Sequence, residues 1–461
     1  MTAPIARPSL VSPSARLRIA ILVPLMLALP ALGFVAARTK PELVLVAVAA
    51  PLAILLVTQR LELSVLAILV TAAFVRFSLP TGTESRIVAS LLVTAMLLVL
   101  WIAKMLVIDR RLYLVPAGTN VPLLGFVATV LVSYAWSNAF RDPLVVVWKT
   151  WPFVQLGGLA VMVLLPGAFL LTANIITDIR WLKMLCGLMI LTGVLGLSLR
   201  FMRLSEGFLN MGGLFSLWFV SLTYSQALFN RGLPFWLRAI LLGLVGAWVY
   251  VYFVQNVSWL AGWVPSFVAM AIISFLKSKR LFVVLALVVL VYAGVKWSYY
   301  VNTVLPAESA ESGITRLSAW EHNWRVTSQH LLFGTGPAGY AVYYMAYFPT
   351  EAMATHSNYI DLLAQTGLIG TVFCLWFFGA LTWTGYTLSR WLKGRSDFSE
   401  AWVCGSLAGC VGCVLAMGLG DWMFPFVYTQ TIAGFDYAVY SWVLLGGLGA
   451  LASQCRGVQR P

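Results

Sequence analysis

An all-α protein that crosses a membrane many times is what this sequence predicts, and composition, spacing and charge each lead there. Hydrophobic residues fill 61% of 461 positions and charged ones only 10%, more apolar surface than a water-soluble fold of this size buries. Apolar runs of about 17 to 25 residues, long enough to span a bilayer, recur along the chain. The basic residues sort to one side when those runs are taken as alternating spans.

The runs begin near Ile19, Leu43, Glu62, Ile87, Val121, Trp151, Met184, Asn210, Ala239, Trp259, Leu281, Gly367, Ala401 and Gly434. The second is short and carries Pro51, so roughly 12 to 14 transmembrane helices are expected. With the N-terminus in the cytoplasm, alternation puts 19 of the 30 Lys and Arg on the cytoplasmic face, but only 5 of the 16 Asp and Glu. The outer face is then neutral, and the formal +14 becomes a positive-inside signal for the cytoplasmic membrane. In a soluble protein such an excess would suggest nucleic acid; here no nucleic-acid partner is expected.

The implied layout is a cytoplasmic tail over 1–18, helices over 19–297, one large extracytoplasmic loop over 298–357, further helices over 358–453 and a cytoplasmic tail over 454–461. Arg7, Arg16 and Arg18 precede the first run as in a signal peptide, but the many later spans favour an uncleaved helix. Of the six cysteines, Cys186, Cys374, Cys404, Cys410, Cys413 and Cys455, none lies in the outer loop, so no disulfide framework is expected. Cys410 and Cys413 have metal-like spacing inside a Gly- and Val-rich span, where small packing residues are the better reading. Arg76 is the main charge placed mid-span.

Within the outer loop, Thr315 to Leu332 reads as an interfacial amphipathic helix. Leu317, Trp320, Trp324 and Leu331 form its apolar face, Arg316, Asn323 and Thr327 one border, and His322, Arg325 and Gln329 the opposite side. Arg316 is thereby placed at lipid headgroup depth. Gly334-Thr335-Gly336-Pro337-Ala338-Gly339 matches GxGxxG, but no strand precedes it and Pro337 interrupts the turn into a helix, so a nucleotide site is rejected. The aromatic cluster Tyr340, Tyr343, Tyr344, Tyr347 and Phe348 follows, suited either to stacking on sugars or to a membrane-interface belt. The loop ends in His356-Ser357-Asn358-Tyr359 at the mouth of the next apolar run. A histidine there meets both water and lipid-borne groups.

Arg316-Leu317-Ser318-Ala319-Trp320, then Leu332 to Gly336, then the string HSNYIDLLAQTGLIG from His356 to Gly370 together resemble the signature of the O-antigen ligase and polysaccharide polymerase superfamily. The resemblance implies an integral-membrane glycosyltransferase that moves a glycan from an undecaprenyl-diphosphate carrier to a glycan, lipid or protein acceptor at the outer face of the cytoplasmic membrane. Arg200 and Arg203 before Gly207-Phe208-Leu209-Asn210 resemble the family's Arg-x-x-Gly-Phe-like segment. Where relatives commonly carry Ser-Arg-Gly, this chain reads Gln255-Asn256-Val257-Ser258-Trp259-Leu260-Ala261-Gly262, without arginine.

The chemistry of such a transfer asks for cations at the leaving diphosphate and a base for the acceptor hydroxyl. Arg316, Arg203, Arg200 and Arg325 suit the first task through bidentate pairing, unless each pairs with Glu206, Glu308, Glu311 or Glu321. His356 suits the second, unless it only bonds the start of its helix. Trp320, Tyr340, Tyr344 and Tyr359 are the candidate glycan contacts. No metal or other cofactor is expected, because the outer loops lack carboxylate or histidine clusters with ligand spacing. A flippase or transporter of lipid-linked oligosaccharide, or a noncatalytic part of a polysaccharide assembly complex, are the alternative readings.

Overall fold

In a computed structural model of the chain, residues 60–80, 86–205, 207–255, 260–304, 314–349 and 354–458 are described. The predicted spans near Ile19 and Leu43, the arginines at 7, 16 and 18, the acids Glu206, Glu308 and Glu311, and positions 256–259 lie outside them.

The helices run α1 (Glu62–Phe74), α2 (Ala89–Ile108), α3 (Asn120–Ala139), α4 (Trp151–Ile175), α5 (Ile179–Phe201), α6 (Phe215–Phe229), α7 (Phe235–Val254), α8 (Leu260–Lys277) and α9 (Lys279–Val295). Then come α10 (Ile314–Thr327), α11 (Gly339–Tyr347), α12 (Asn358–Trp391), α13 (Phe398–Leu419) and α14 (Phe435–Val458). A single two-stranded hairpin, β1 (Ser78–Pro80) with β2 (Arg86–Val88), sits between α1 and α2.

The chain is therefore an all-helical, multi-pass membrane protein. Eight helices among the described residues are long and apolar enough to cross a bilayer, nine if α9 and Trp297–Thr303, bent by 63°, form one span. Of the fourteen predicted runs two lie outside the described residues, and three of the others form shorter helices. The runs near Glu62 and Trp259 become α1 and α8, and the run near Asn210 becomes α6, of 15 residues, about 22 Å against a hydrocarbon core of about 30 Å.

The chain contacts divide into two units, Met1–Ser64 with Val99–Tyr113, and Val65–Leu98 with Leu114–Pro461. In the first, residues 104–108 widen into a π-helix and Lys104 pairs with Asp109 at 3.6 Å.

In the second unit α6 is the innermost helix, buried on all sides, polar Ser221, Thr223, Ser225 and Gln226 included. It packs on α13 through Gly405, Gly409 and Gly412; a Cβ at Gly409 would stand 2.5 Å from the Trp218 ring. Small residues admit this close approach where lipid gives no hydrophobic drive to helix association. Loops expected on one side of the bilayer meet each other. Arg231 N donates to Ser396 O (2.9 Å), Gln454 Nε2 to Ile176 O (3.2 Å), and Lys277 lies over Phe229 (4.7 Å). Toward the other end Asn210 N donates to Ala73 O (2.9 Å) and Tyr440 OH to Asn210 O (2.7 Å). Arg76 belongs to that end, exposed beyond α1 and bonded to Leu209 O, not mid-span.

Helix α12 is broken at Gly367, whose φ of 67° departs from helical geometry. The break frees carbonyls that must find donors inside a membrane protein, and the glycine-rich turn supplies them. Thr335 N and Oγ1 donate to Ala364 O (2.8 and 2.9 Å), Gly336 N to Gln365 O (3.0 Å), and Ala338 N to Gln365 Oε1 (2.7 Å). Ser133 Oγ on α3 bonds both Phe333 O (2.5 Å) and Gln365 O (2.6 Å). The GxGxxG-like string is thus a structural plug. A Cβ on Gly334 would meet Gln365 backbone at 2.5 Å, and one on Gly367 would meet Leu332 O at 2.2 Å.

That plug also shortens the interfacial helix. α10 ends at Thr327, five residues before the predicted Leu332, because the chain turns there to enter the break.

Candidate functional site

Four residues at the start of α12 are held from three directions, and one of them is left open. Thr355, Ser357 and Asn358 are buried while His356 between them is exposed. Trp320 Nε1 on α10 donates to Thr355 O (2.8 Å). Asn358 bonds the loop after α13, donating to Phe424 O (2.7 Å) and accepting from Met423 N (2.9 Å) and Phe424 N (3.2 Å). His356 itself takes a left-handed backbone, φ 49°, unusual for a residue with a side chain.

Behind the imidazole lies a carboxylate. His356 Nδ1 stands 3.9 Å from Asp421 Oδ1, with side-chain exposures of 46% and 5%. That is longer than a hydrogen bond but within ion-pair range. Asp421 is fixed by Thr429 Oγ1 (2.6 Å) and Phe426 N (3.4 Å). Burial pushes its carboxyl up, but His356, Thr429 and backbone bonding outweigh burial and hold it below its ordinary value. A buried, charged acid facing an open imidazole is the arrangement that orients a base.

A second acid lies on the same segment. Asp361, in the first turn of α12 and 2% exposed, accepts from Thr355 Oγ1 and from Tyr340 OH (2.7 Å). Tyr340 is 1% exposed and stacks on Phe426 at 4.5 Å. Burial, then the Asp361 charge, pushes its phenol well up, so it stays a donor. Its ring is buried against Phe426 and is not presented at the surface.

The other expected site residues are distributed as follows. Tyr344 is buried, its ring against His322 and Phe348 at 6.0 and 5.7 Å. Tyr359 is half-buried with its hydroxyl on Val414 O. Neither offers a free ring at the surface. Trp320 is half-buried and, as above, tied to the His356 segment. Arg325 pairs with Glu321 at 2.8 Å, one turn away on exposed helix, the ordinary surface pairing. Arg203 is exposed in a left-handed turn just after α5.

Helix α10 packs on the protein by its polar border. Leu317 and Trp324 are outward, 66% and 53% exposed, while Ala319, Asn323, Val326 and Thr327 are buried against the protein. Arg316 follows this inward edge; its Nε is buried without a hydrogen-bond partner, as is Asn323 Nδ2. Those are donors awaiting acceptors.

Arg200 lines a cavity of about 320 Å³ together with Ser216, Trp248, Tyr252, Trp263, Ser266 and apolar neighbours. Its guanidinium lies 5.0 Å over the Tyr252 ring. Trp248 Nε1, Trp263 Nε1 and Ser266 Oγ on its walls are buried with no hydrogen-bond partner. The volume is at the small end of ligand sites.

A third polar cluster joins the loop after α3 to α11. Asp142 accepts from Tyr347 OH, Asp142 N donates to Tyr343 OH (3.2 Å), and the His330 ring meets Tyr343 edge-on at 5.0 Å. The Tyr347 bond holds the Asp142 carboxyl low, and burial holds the His330 imidazole low against the pull of Asp142.

No family profile matches the chain, and no curated protein is similar to it. Among the described residues no three His, Cys, Asp or Glu converge as a metal-binding group. Sequence reasoning missed Asp421, although an acid directly after an apolar span, in a chain with only 16 Asp and Glu, is itself a sign of a task.

Proposed function

We propose that the protein is a lipid-carrier-dependent glycan transferase of the ligase or polymerase type, working without metal at the outer face of the cytoplasmic membrane. The observation that carries this reading is His356, exposed on an immobilised segment and backed by buried, charged Asp421. His356 takes the proton from an acceptor hydroxyl; the oxygen forms a bond to the anomeric carbon of the donor glycan. The bond from that carbon to the diphosphate breaks, and its electron pair leaves with the undecaprenyl diphosphate.

Arginine forks suit the departing charge. Arg316, with an unused buried Nε, and Arg200, at the wall of an apolar cavity rich in unpaired donors, support the presence of an acceptor-rich amphiphile. The outward Leu317 and Trp324 of α10 suit contact with membrane lipid. The orientation rests on the positive-inside charge pattern.

The test is transfer by purified protein from a carrier-linked oligosaccharide, read as longer chains or an acceptor-linked product. His356→Ala is expected to cost about 10² to 10⁴ in rate with donor binding kept, and a chelator to leave the parent active. Near-parental transfer by folded His356→Ala, or loss of transfer on chelation, overturns the reading.

A further inference from the structure

Residues 140–150 join α3 to α4, two helices long and apolar enough to span a bilayer, so the loop leaves the membrane surface by no more than its own short reach. α3 runs antiparallel to α12: its Ser133 bonds Gln365 O, and its Gly125, further from the loop, lies against Phe373. The loop is therefore at the end where α12 begins, beside the His356 segment. It is fixed by its own hydrogen bonds. Leu144 N donates to Asp142 Oδ1 (2.9 Å) and Val145 N to Asp142 O (3.0 Å), closing one turn, and Trp151 N donates to Trp148 O (3.0 Å), closing another. Asp142 is bonded in turn to Tyr343 and Tyr347 of α11. Yet alternate side chains are left outside: Leu144 and Val146 are 75% exposed and Trp148 53%, while Val145 is buried at 4%. The apolar surface continues onto both flanking spans. Exposed Phe140 has its ring 4.3 Å from that of Trp136 on α3, and Phe153 in the first turn of α4 is exposed as well. Single exposed apolar residues need no explanation, but a run of them on a loop so fixed does.

We propose that this loop is an interfacial anchor, with Leu144, Val146 and Trp148 sunk into the lipid leaflet at the His356 end of the molecule. Its occupant is the bilayer itself, for three reasons. Both ends of the loop are tied to membrane spans with exposed apolar sides, so its outward residues extend a surface that lipid already covers. Trp148 is the residue type that settles at the boundary of headgroups and hydrocarbon. Lys149 beside it is exposed, and a lysine stem lets the ammonium reach headgroup phosphates while its neighbours are immersed. A glycan would ask instead for polar partners around the exposed rings, and the loop's only acid, Asp142, is spent on its own turn and on Tyr347. Through Asp142 the anchor also holds α11 at a fixed height against the leaflet. The inference depends on the chain spanning a membrane and not on the proposed transfer.

The test places the full chain in nanodiscs of phosphatidylcholine and phosphatidylglycerol, open to reagents from both sides, with one nitroxide label at a time. Five native cysteines are buried and Cys455 is half-buried, so Cys455→Ser supplies the background. Leu144→Cys and Val146→Cys are compared with Leu131→Cys on the exposed side of α3 and with Lys393→Cys in the loop after α12. Molecular oxygen concentrates in hydrocarbon and a nickel chelate stays in water, so their collisions with each label report its surroundings. Labels at 144 and 146 are expected to be several-fold more accessible to oxygen than to nickel, as at 131, with the opposite order at 393. Nickel access at 144 and 146 equal to that at 393 puts the loop in water and overturns the inference. Low access to both reagents means cover by protein, a second copy included, and overturns it too. Unlabelled thiols guard against a label that itself draws the loop into lipid. Val146→Cys is expected to react several-fold more slowly than Lys393→Cys with a charged, water-soluble maleimide, and equal rates overturn the inference.

Discussion

The single residue that separates this site from an ordinary helix start is Asp421, and its pH behaviour has a definite sign. Its folded value is held below the ordinary value of about 3.9, so its charge contributes stability above that value and the contribution is lost as pH falls through the folded one. Asp421→Asn is therefore expected to unfold at lower temperature than the parent at pH 7 in detergent, with the gap closing below about pH 4. A gap that persists unchanged in acid would remove charge from the explanation. Arginines divide in the same way. Arg316→Lys and Arg200→Lys are expected to lose most transfer, since a point charge does not replace a planar fork. Arg325→Ala is expected to keep it, because its exposed one-turn pair with Glu321 is worth only about 0.3 to 0.5 kcal/mol. Equal losses at all three positions would speak against a diphosphate-holding role for Arg316 and Arg200.

Helix α12 and the turn that fills its break set the element scale. Gly367→Ala must place a Cβ 2.2 Å from Leu332 O at a left-handed φ, so a loss of several kcal/mol and poor yield of folded protein are expected. Gly379, in the same helix with nothing within 4 Å of its would-be Cβ, is the control. Gly379→Ala is expected to be neutral or to stabilise by about 0.5 to 1 kcal/mol, read as the change in thermal midpoint. How far these elements were legible follows from which forces write them. His356 stands out because a titrating side chain opens an apolar run, and the glycine-rich string stands out as a turn. Its partner carbonyls at Ala364 and Gln365 do not, since no residue pattern announces which backbone atoms a broken helix frees. The side of α10 that meets the protein is hard to read from pattern for a related reason. Hydropathy puts apolar residues toward the core in water, but a helix between protein and lipid turns Leu317 and Trp324 out and Asn323 and Thr327 in.

For the whole molecule, composition and apolar spacing specify the class, because a bilayer demands closed backbone bonding over a fixed thickness. They do not specify the number of spans, since short helices such as α6 are shielded by neighbours and need not match that thickness. The orientation makes a prediction of its own. Reporter fusions in the Lys277–Arg280 turn and near Gly339 are expected to report opposite compartments, with Gly339 outside the cytoplasm. A cytoplasmic signal near Gly339 would put His356 on the wrong side for an undecaprenyl-linked donor presented outside. The stitched turn at Gly334–Gly336 bears on traffic as well as on folding. Lifting it would strand the Ala364 carbonyl and the Phe333 carbonyl held by Ser133, and leave Gln365 O with Ser133 alone, at about 1 to 3 kcal/mol for each stranded group. That segment is therefore not expected to swing away as a hinged cover, and in the proposed reaction a long lipid-borne donor is expected to reach His356 from the plane of the bilayer, between helices, and to leave by the same lateral route.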